Sequence, residues 1–289
     1  MVVGLPPGWM FGLDLQMWSI GERFSGISHI PNGIHYIYYS PPGELWRQGQ
    51  FISIEKDFLV FRFDVGDERL ILTDEAGRIS DPLVPFTQVI QRQYDWEEFT
   101  NFISFRLLQS LTRDCKIEFS PIPSLVIPAG STPSDITRFG MDKSQHLTQL
   151  IASRQIARDV DILGELQVAF LLFFLGQDYE ALIHWRKLME LFLQCQEDGV
   201  RESVGLFGKF VQVLVAQVKE IPSEILTDVS SDGCIFLVPW IARFISECRE
   251  SVNCRDLENV MAEKFDGIRD WAEWCADQED EPVVVDNSY

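Results

Sequence analysis

Residues 161–175, DILGELQVAFLLFFL, put apolar side chains on nearly every face of a helix. A helix of that kind needs neighbours on all sides. Its most apolar stretch, residues 168–175, is far shorter than the roughly 20 residues that span a bilayer. It therefore reads as the central, buried helix of a helical domain, ended at Gly176. The surrounding sequence supplies the shell. Leu182, Trp185, Met189 and Phe192 form one stripe at helical spacing. Phe207, Phe210, Val211, Leu214 and Val218 form a second, which stops before Pro222. Leu237, Ile241, Phe244 and Cys248 form a third, and Leu257, Met261, Phe265, Ile268, Ala272 and Cys275 a fourth. Short connections between them predict antiparallel neighbours in one bundle.

The first ninety residues follow a different period. Residues 33–40, GIHYIYYS, read as a strand bounded by Pro31-Asn32 and Pro41-Pro42. Residues 51–54, 58–65 and 68–73 follow as further strands. Phe61, Phe63 and Val65 alternate with Arg62 and Asp64, which predicts one aromatic face. Trp96, Phe99, Ile103, Leu107 and Leu111 then recur at steps of three and four, predicting one amphipathic helix over 95–112. The prolines of residues 120–129 forbid either regular element and mark the hinge. At Thr132-Pro133 a helix restarts, with Thr132 as cap, Pro133 in the first turn and Asp135 favouring the helix dipole. The fold class is α+β: a β-rich N-terminal domain (1–113), a helical domain (114–277) and an extended tail (278–289).

The formal net charge is −20. Nucleic acid is attracted by clustered Lys and Arg, and no such stripe occurs, so no direct nucleic-acid binding is expected. The six cysteines form no CxxC pair, and most fall at apolar helical positions, as small buried hydrophobes do. The opening MVVGLPPGW lacks a basic start and a long apolar run, so cytoplasm and nucleus are the expected compartments, with no membrane. Of the four histidines, neither His35 nor His184 stands beside a nucleophile motif. No metal-ligand spacing or phosphate loop is present, so no catalytic residue, metal or cofactor is expected. Glu165 and Gln167 stand out within the apolar helix. A buried carboxylate marks either a functional site or a hydrogen-bonded structural position. The structural reading is favoured, because no complementary titratable group is evident beside it.

Residues 161–176, continued by Tyr179-Glu-Ala and His184-Trp185, resemble the A-one-cistron splicing factor family. The same resemblance runs through Leu5-Pro-Pro-Gly8, Phe11-Gly-Leu-Asp14, Trp18, Ile30-Pro-Asn-Gly33 and His35-Tyr-Ile-Tyr-Tyr-Ser40. It continues through residues 125–136 and Met141-Asp142 to Pro282-Val-Val-Val285, and so covers nearly the whole chain in order. Here the connection from Thr112 to Ile117 is shorter than the family's, so no role is assigned to it. The resemblance implies a VHS-like helical domain and a role in assembling the U5 snRNP. It implies as partners a U5 snRNP precursor and the giant spliceosomal scaffold protein, bound at its RNase H-like and Jab/MPN-like domains, with the RNA helicase kept off until assembly is complete. The residues themselves add one expectation. Val283, Val284 and Val285 follow an acidic run and a proline, and such a segment can add as a strand to a partner's sheet. The competing class is a generic acidic adaptor of an unrelated pathway.

Overall fold

The computed structural model describes residues 1–44, 46–55, 59–73, 83–86, 90–114, 116–154, 160–227 and 237–265. They contain strands β1 (Val2–Val3), β2 (Met10–Leu13), β3 (Gln16–Ser19), β4 (Ile27–Ser28), β5 (Gly33–Ser40), β6 (Gln48–Ile54), β7 (Val60–Asp64), β8 (Arg69–Thr73) and β9 (Val84–Pro85). Helices α1 (Ile90–Thr100) and α2 (Phe105–Leu111) and the short strands β10 (Thr112–Arg113) and β11 (Lys116–Ile117) follow. The rest is helical: α3 (Pro133–Met141), α4 (Ser144–Ser153), α5 (Asp161–Phe174), α6 (Tyr179–Leu193), α7 (Glu197–Glu202), α8 (Val204–Glu220), α9 (Ser223–Thr227), α10 (Val238–Cys248) and α11 (Arg255–Lys264). A β-rich region followed by a helical one is the α+β order that the change of period predicts. Two compact units divide the chain: residues 1–120 with 167–182, and residues 121–166 with 183–289.

In the first unit the central sheet has the order β3-β2-β5-β6, all antiparallel. A second sheet has the order β1-β7-β8. Strand β5 is buried on both faces. Ile37 and Tyr39 enter the core formed with Phe11, Leu13, Phe61, Phe63 and Leu70. Tyr36 and Tyr38 point to the other face and are equally buried. Their rings have room because glycines sit opposite: Gly12 and Gly49 both pair with Tyr38. A β-carbon on Gly12 would overlap the Tyr38 ring, and one on Gly49 would overlap the Tyr36 hydroxyl. The Tyr39 hydroxyl accepts the Leu70 N–H at 2.8 Å and so ties the two sheets.

The aromatic face predicted for β7 stops one residue early. Phe61 and Phe63 are buried, but Val65 is 77% exposed. Asp64 Oδ1 accepts the N–H groups of Gly66 and Asp67 at 2.8 and 2.9 Å, and this Asx turn ends the strand. The single helix predicted over 95–112 is two helices. Ser104 caps α2 by accepting the Leu107 N–H at 3.1 Å. The groups released at the break are taken up by buried Gln167: its Oε1 accepts the Phe102 N–H at 3.0 Å, and its Nε2 donates to Glu98 O at 2.9 Å and Asn101 Oδ1 at 2.8 Å.

Between Ile117 and Pro133 no regular element forms, as the prolines require. Side chains of α4 hold this segment instead. Gln149 donates to Val126 O and accepts the Val126 N–H, both at 2.9 Å, and His146 Nε2 donates to Pro123 O at 2.7 Å. Thr132 and Asp135 form a reciprocal capping box at the start of α3.

Helix α5 carries the burial that its sequence demands: Ile162, Leu163, Leu166, Val168, Ala169, Phe170 and Leu171 are fully inside. The chain turns after it through Gln177, whose φ is 56°, so the left-handed residue is Gln177 and not Gly176. Gly176 is required for a different reason. A β-carbon there would lie 2.6 Å from Leu172 O and 2.7 Å from the Tyr36 hydroxyl. The second unit is built on aromatic packing: Phe192 stacks on Phe210 at 4.4 Å, and Phe207 and Phe244 complete the cluster. Each fully buried ring of this kind contributes on the order of 2–3 kcal/mol of apolar burial. Leu257 and Met261 of α11 are buried as the fourth stripe requires, and α11 closes at Lys264. Ile268, Ala272 and Cys275 lie outside the described residues.

Candidate functional site

Among the described residues, several buried polar side chains join strands or helices, and three such clusters involve residues that the sequence singles out. In the first unit Asp14 and His35 are both buried, with His35 Nδ1 2.7 Å from Asp14 Oδ2. Asp14 has a left-handed φ of 54°, which places its carboxyl beside β5. Its other oxygen accepts the Tyr36 N–H at 3.0 Å. His35 Nε2 lies 2.9 Å from Pro31 O, and the ring lies parallel to Trp96 at 6.5 Å. Burial raises the Asp14 pKa, and the bond and charge of His35 oppose that rise. Burial alone would lower the His35 pKa, but the hydrogen bond and charge of Asp14 outweigh it and raise it. Both shifts favour one proton held between the two groups. The pair joins β2, β5 and the loop at Pro31. Trp96 donates to Ile34 O at 2.9 Å and so fastens α1 to the same strand.

The second cluster answers the question posed by Glu165. Its Oε1 accepts from His184 Nε2 at 2.7 Å and from Arg154 Nη2 at 3.1 Å. The expectation that Glu165 receives hydrogen bonds from a neighbouring helix holds, since His184 stands on α6. The premise that no complementary titratable group accompanies it does not. His184 is 19 residues away in sequence and Arg154 is 11. Both separations are too long for side-chain contact along one helix, so only the packing of α5, α6 and the C-terminal end of α4 brings them together. Both side chains are largely buried, and one carboxylate oxygen serves both donors. This geometry clamps helices. The third cluster is Gln167, described above, the other polar residue that the apolar helix singles out.

The buried cysteines are inert. Burial pushes the thiols of Cys195 and Cys248 up to about 12 and that of Cys254 to about 11. At neutral pH they stay protonated and are poor nucleophiles or ligands. Among the described residues, no group of three His, Cys, Asp or Glu side chains is placed to hold a metal ion. Among the same residues, no helix is long and apolar enough to cross a membrane. The partner-binding candidates Val283, Val284 and Val285 lie outside the described residues.

What these observations define is a two-part α+β protein whose buried polar clusters fasten strands and helices to one another. Comparison with known proteins gives the particular family. Residues 1–113 match the AAR2 N-terminal domain, and residues 119–275 match the AAR2 C-terminal repeat region. The chain is similar to the Protein AAR2 homolog of Mus musculus, at 28% identity over 99% of this chain and 92% of that protein. The homologue of Oryctolagus cuniculus is 29% identical, over 99% of this chain and 91% of its own length. The Caenorhabditis elegans homologue is 22% identical, over 89% and 88%. The chain belongs to the AAR2 family. That membership supports a role in splicing and U5 snRNP assembly, within a family of non-catalytic assembly factors. The mouse alignment runs over 360 positions, whereas this chain has 289 residues, so that relative holds segments with no counterpart here.

Proposed function

We propose that this chain acts by binding, as an assembly factor that holds an immature U5 snRNP through its large scaffold protein. Its contacts are the RNase H-like and Jab/MPN-like domains of that protein, and its presence keeps the RNA helicase from binding early. The observation that carries this reading is the family match, which spans both the β-rich and the helical region in order. Net charge supports it: at −20 the surface favours basic protein faces and repels RNA that would compete for them. Val283–Val285 add as a strand to an open sheet edge of the scaffold, with backbone hydrogen bonds giving affinity and alternate side chains giving register. Glu279, Asp280, Glu281 and Pro282 before them discourage self-pairing. The protein works in cytoplasm and nucleus.

Calorimetry with the two isolated scaffold domains tests this. The full chain binds both. Deletion of residues 278–289 weakens binding to the Jab/MPN-like domain by at least about tenfold. Unchanged affinity after the deletion removes the tail from the mechanism. Failure of the full chain to bind either domain removes the scaffold as partner.

A further inference from the structure

The segment before α3, and α3 itself, hold apolar side chains in water on a backbone that is firmly tied down. Val126 is 70% exposed, Ile127 41%, Ile136 48% and Met141 57%. No residue of α3 is buried. The ties are polar: Gln149 grips Val126 from both sides, His146 holds Pro123, and the Thr132–Asp135 box sets the start of α3. A surface that fixes its backbone and leaves its aliphatic side chains outside is arranged for contact. Between the segment and α3 runs a groove of about 380 Å³, walled by Leu125, Ile127, Ile136 and Phe139 and lined also by Lys143 and His146.

The charge of the groove is opposite to that of the chain. Its lining contains one formal charge, the ammonium of Lys143, and no carboxylate, on a protein of net charge −20. Lys143 has no ion-pair partner among the described residues. The nearby carboxylates are engaged. Asp135 holds Thr132 and Arg138, and Asp142 Oδ1 accepts from Ser144 and from the Gln196 N–H.

We infer that this groove docks an apolar peptide segment of a partner protein that carries carboxylates. Aliphatic side chains of the segment pack on Ile127, Ile136 and Phe139, and a carboxylate meets Lys143. The acidic remainder of the surface repels such a segment, which confines it to this groove. The inference concerns a different surface and a partner of opposite charge from those proposed above, and it stands without them.

The probe is a fluorescein-labelled synthetic peptide of alternating leucine and glutamate, with a matched leucine–lysine peptide, titrated against the full chain by anisotropy. The glutamate peptide binds, and the lysine peptide binds at least about tenfold more weakly. Lys143→Glu weakens the glutamate peptide about fivefold and strengthens the lysine peptide. Ile136→Ser weakens the glutamate peptide by a similar factor. Ile136 is exposed and Lys143 is half-buried, and circular dichroism verifies that both variants fold. The proposal is overturned by equal affinity for the two peptides, by no binding of either at about 1 mM, or by indifference to both substitutions. It also falls if sedimentation shows a dimer that Ile136→Ser dissociates, since the occupant is then a second copy. It falls too if deleting residues 278–289 raises the peptide's affinity, since the occupant is then the chain's own tail.

Discussion

Replacing Gln167 by leucine removes three hydrogen bonds at once, those to Phe102 N–H, Glu98 O and Asn101 Oδ1. At about 1 kcal/mol net for each, the loss is about 3 kcal/mol. Apolar burial of the leucine returns about 1 kcal/mol, which leaves a destabilisation of about 2 kcal/mol. Glutamate has the same shape as glutamine but is the worse replacement. It keeps the acceptor for Phe102 N–H, yet it sets a carboxylate against the acceptors Glu98 O and Asn101 Oδ1 in a site that is fully buried. Its cost is about 3 kcal/mol or more, because a buried charge with one donor and two opposing acceptors is more expensive than a missing amide. Urea unfolding reads the order directly. With a slope of about 2 kcal/mol per molar, the midpoint falls by about 1 M for Gln167→Leu and by about 1.5 M or more for Gln167→Glu. A glutamate variant more stable than the leucine variant refutes the view that Gln167 acts chiefly through its amide donor.

Other expectations follow from the same kind of reading. Gly12→Ala drives a methyl group into the Tyr38 ring and costs about 1–3 kcal/mol, whereas Gly208→Ala in α8 meets open space and stabilises by about 0.5–1 kcal/mol; thermal unfolding gives the two opposite signs. The His35 pKa is raised in the folded protein, so the stability it contributes is fully present below the ordinary imidazole value of about 6.5 and is lost as pH rises through the raised value. Asp14→Asn removes the group that raises it, and urea midpoints from pH 5 to 9 then lose that downward slope; an unchanged slope excludes the pair as its source. Cys195, Cys248 and Cys254 resist iodoacetamide at pH 8 in the native protein and react in urea, as site-resolved mass spectrometry will report. Prompt native labelling of any of them contradicts their burial.

Local pattern carried the reading a long way. The stripes Phe207–Val218 and Leu237–Cys248 are buried where their spacing puts them, and Thr132-Pro133 opens α3 as cap and first turn. These features depend on neighbours a few residues apart, which is the range over which helical and strand periods act. The apolar spacing over 95–112 continues through residues 101–104 and gives no sign of the break, since the donors and acceptors that tolerate it belong to Gln167, some 65 residues away. Val65 keeps the alternation of β7 but falls inside an Asx turn made by the aspartate just before it.

The roles of the two polar residues in α5 divide along the same line. That residues 161–175 must be surrounded on all sides was determined by the sequence alone, because no surface position tolerates apolar side chains all round a helix. The same run, with the motifs around it, also determined the family. What Glu165 and Gln167 do inside that helix was decided only by tertiary structure. Their partners come from α4, from α6 and from the break between α1 and α2, and a buried polar group takes its meaning from whatever the fold brings within 3 Å of it.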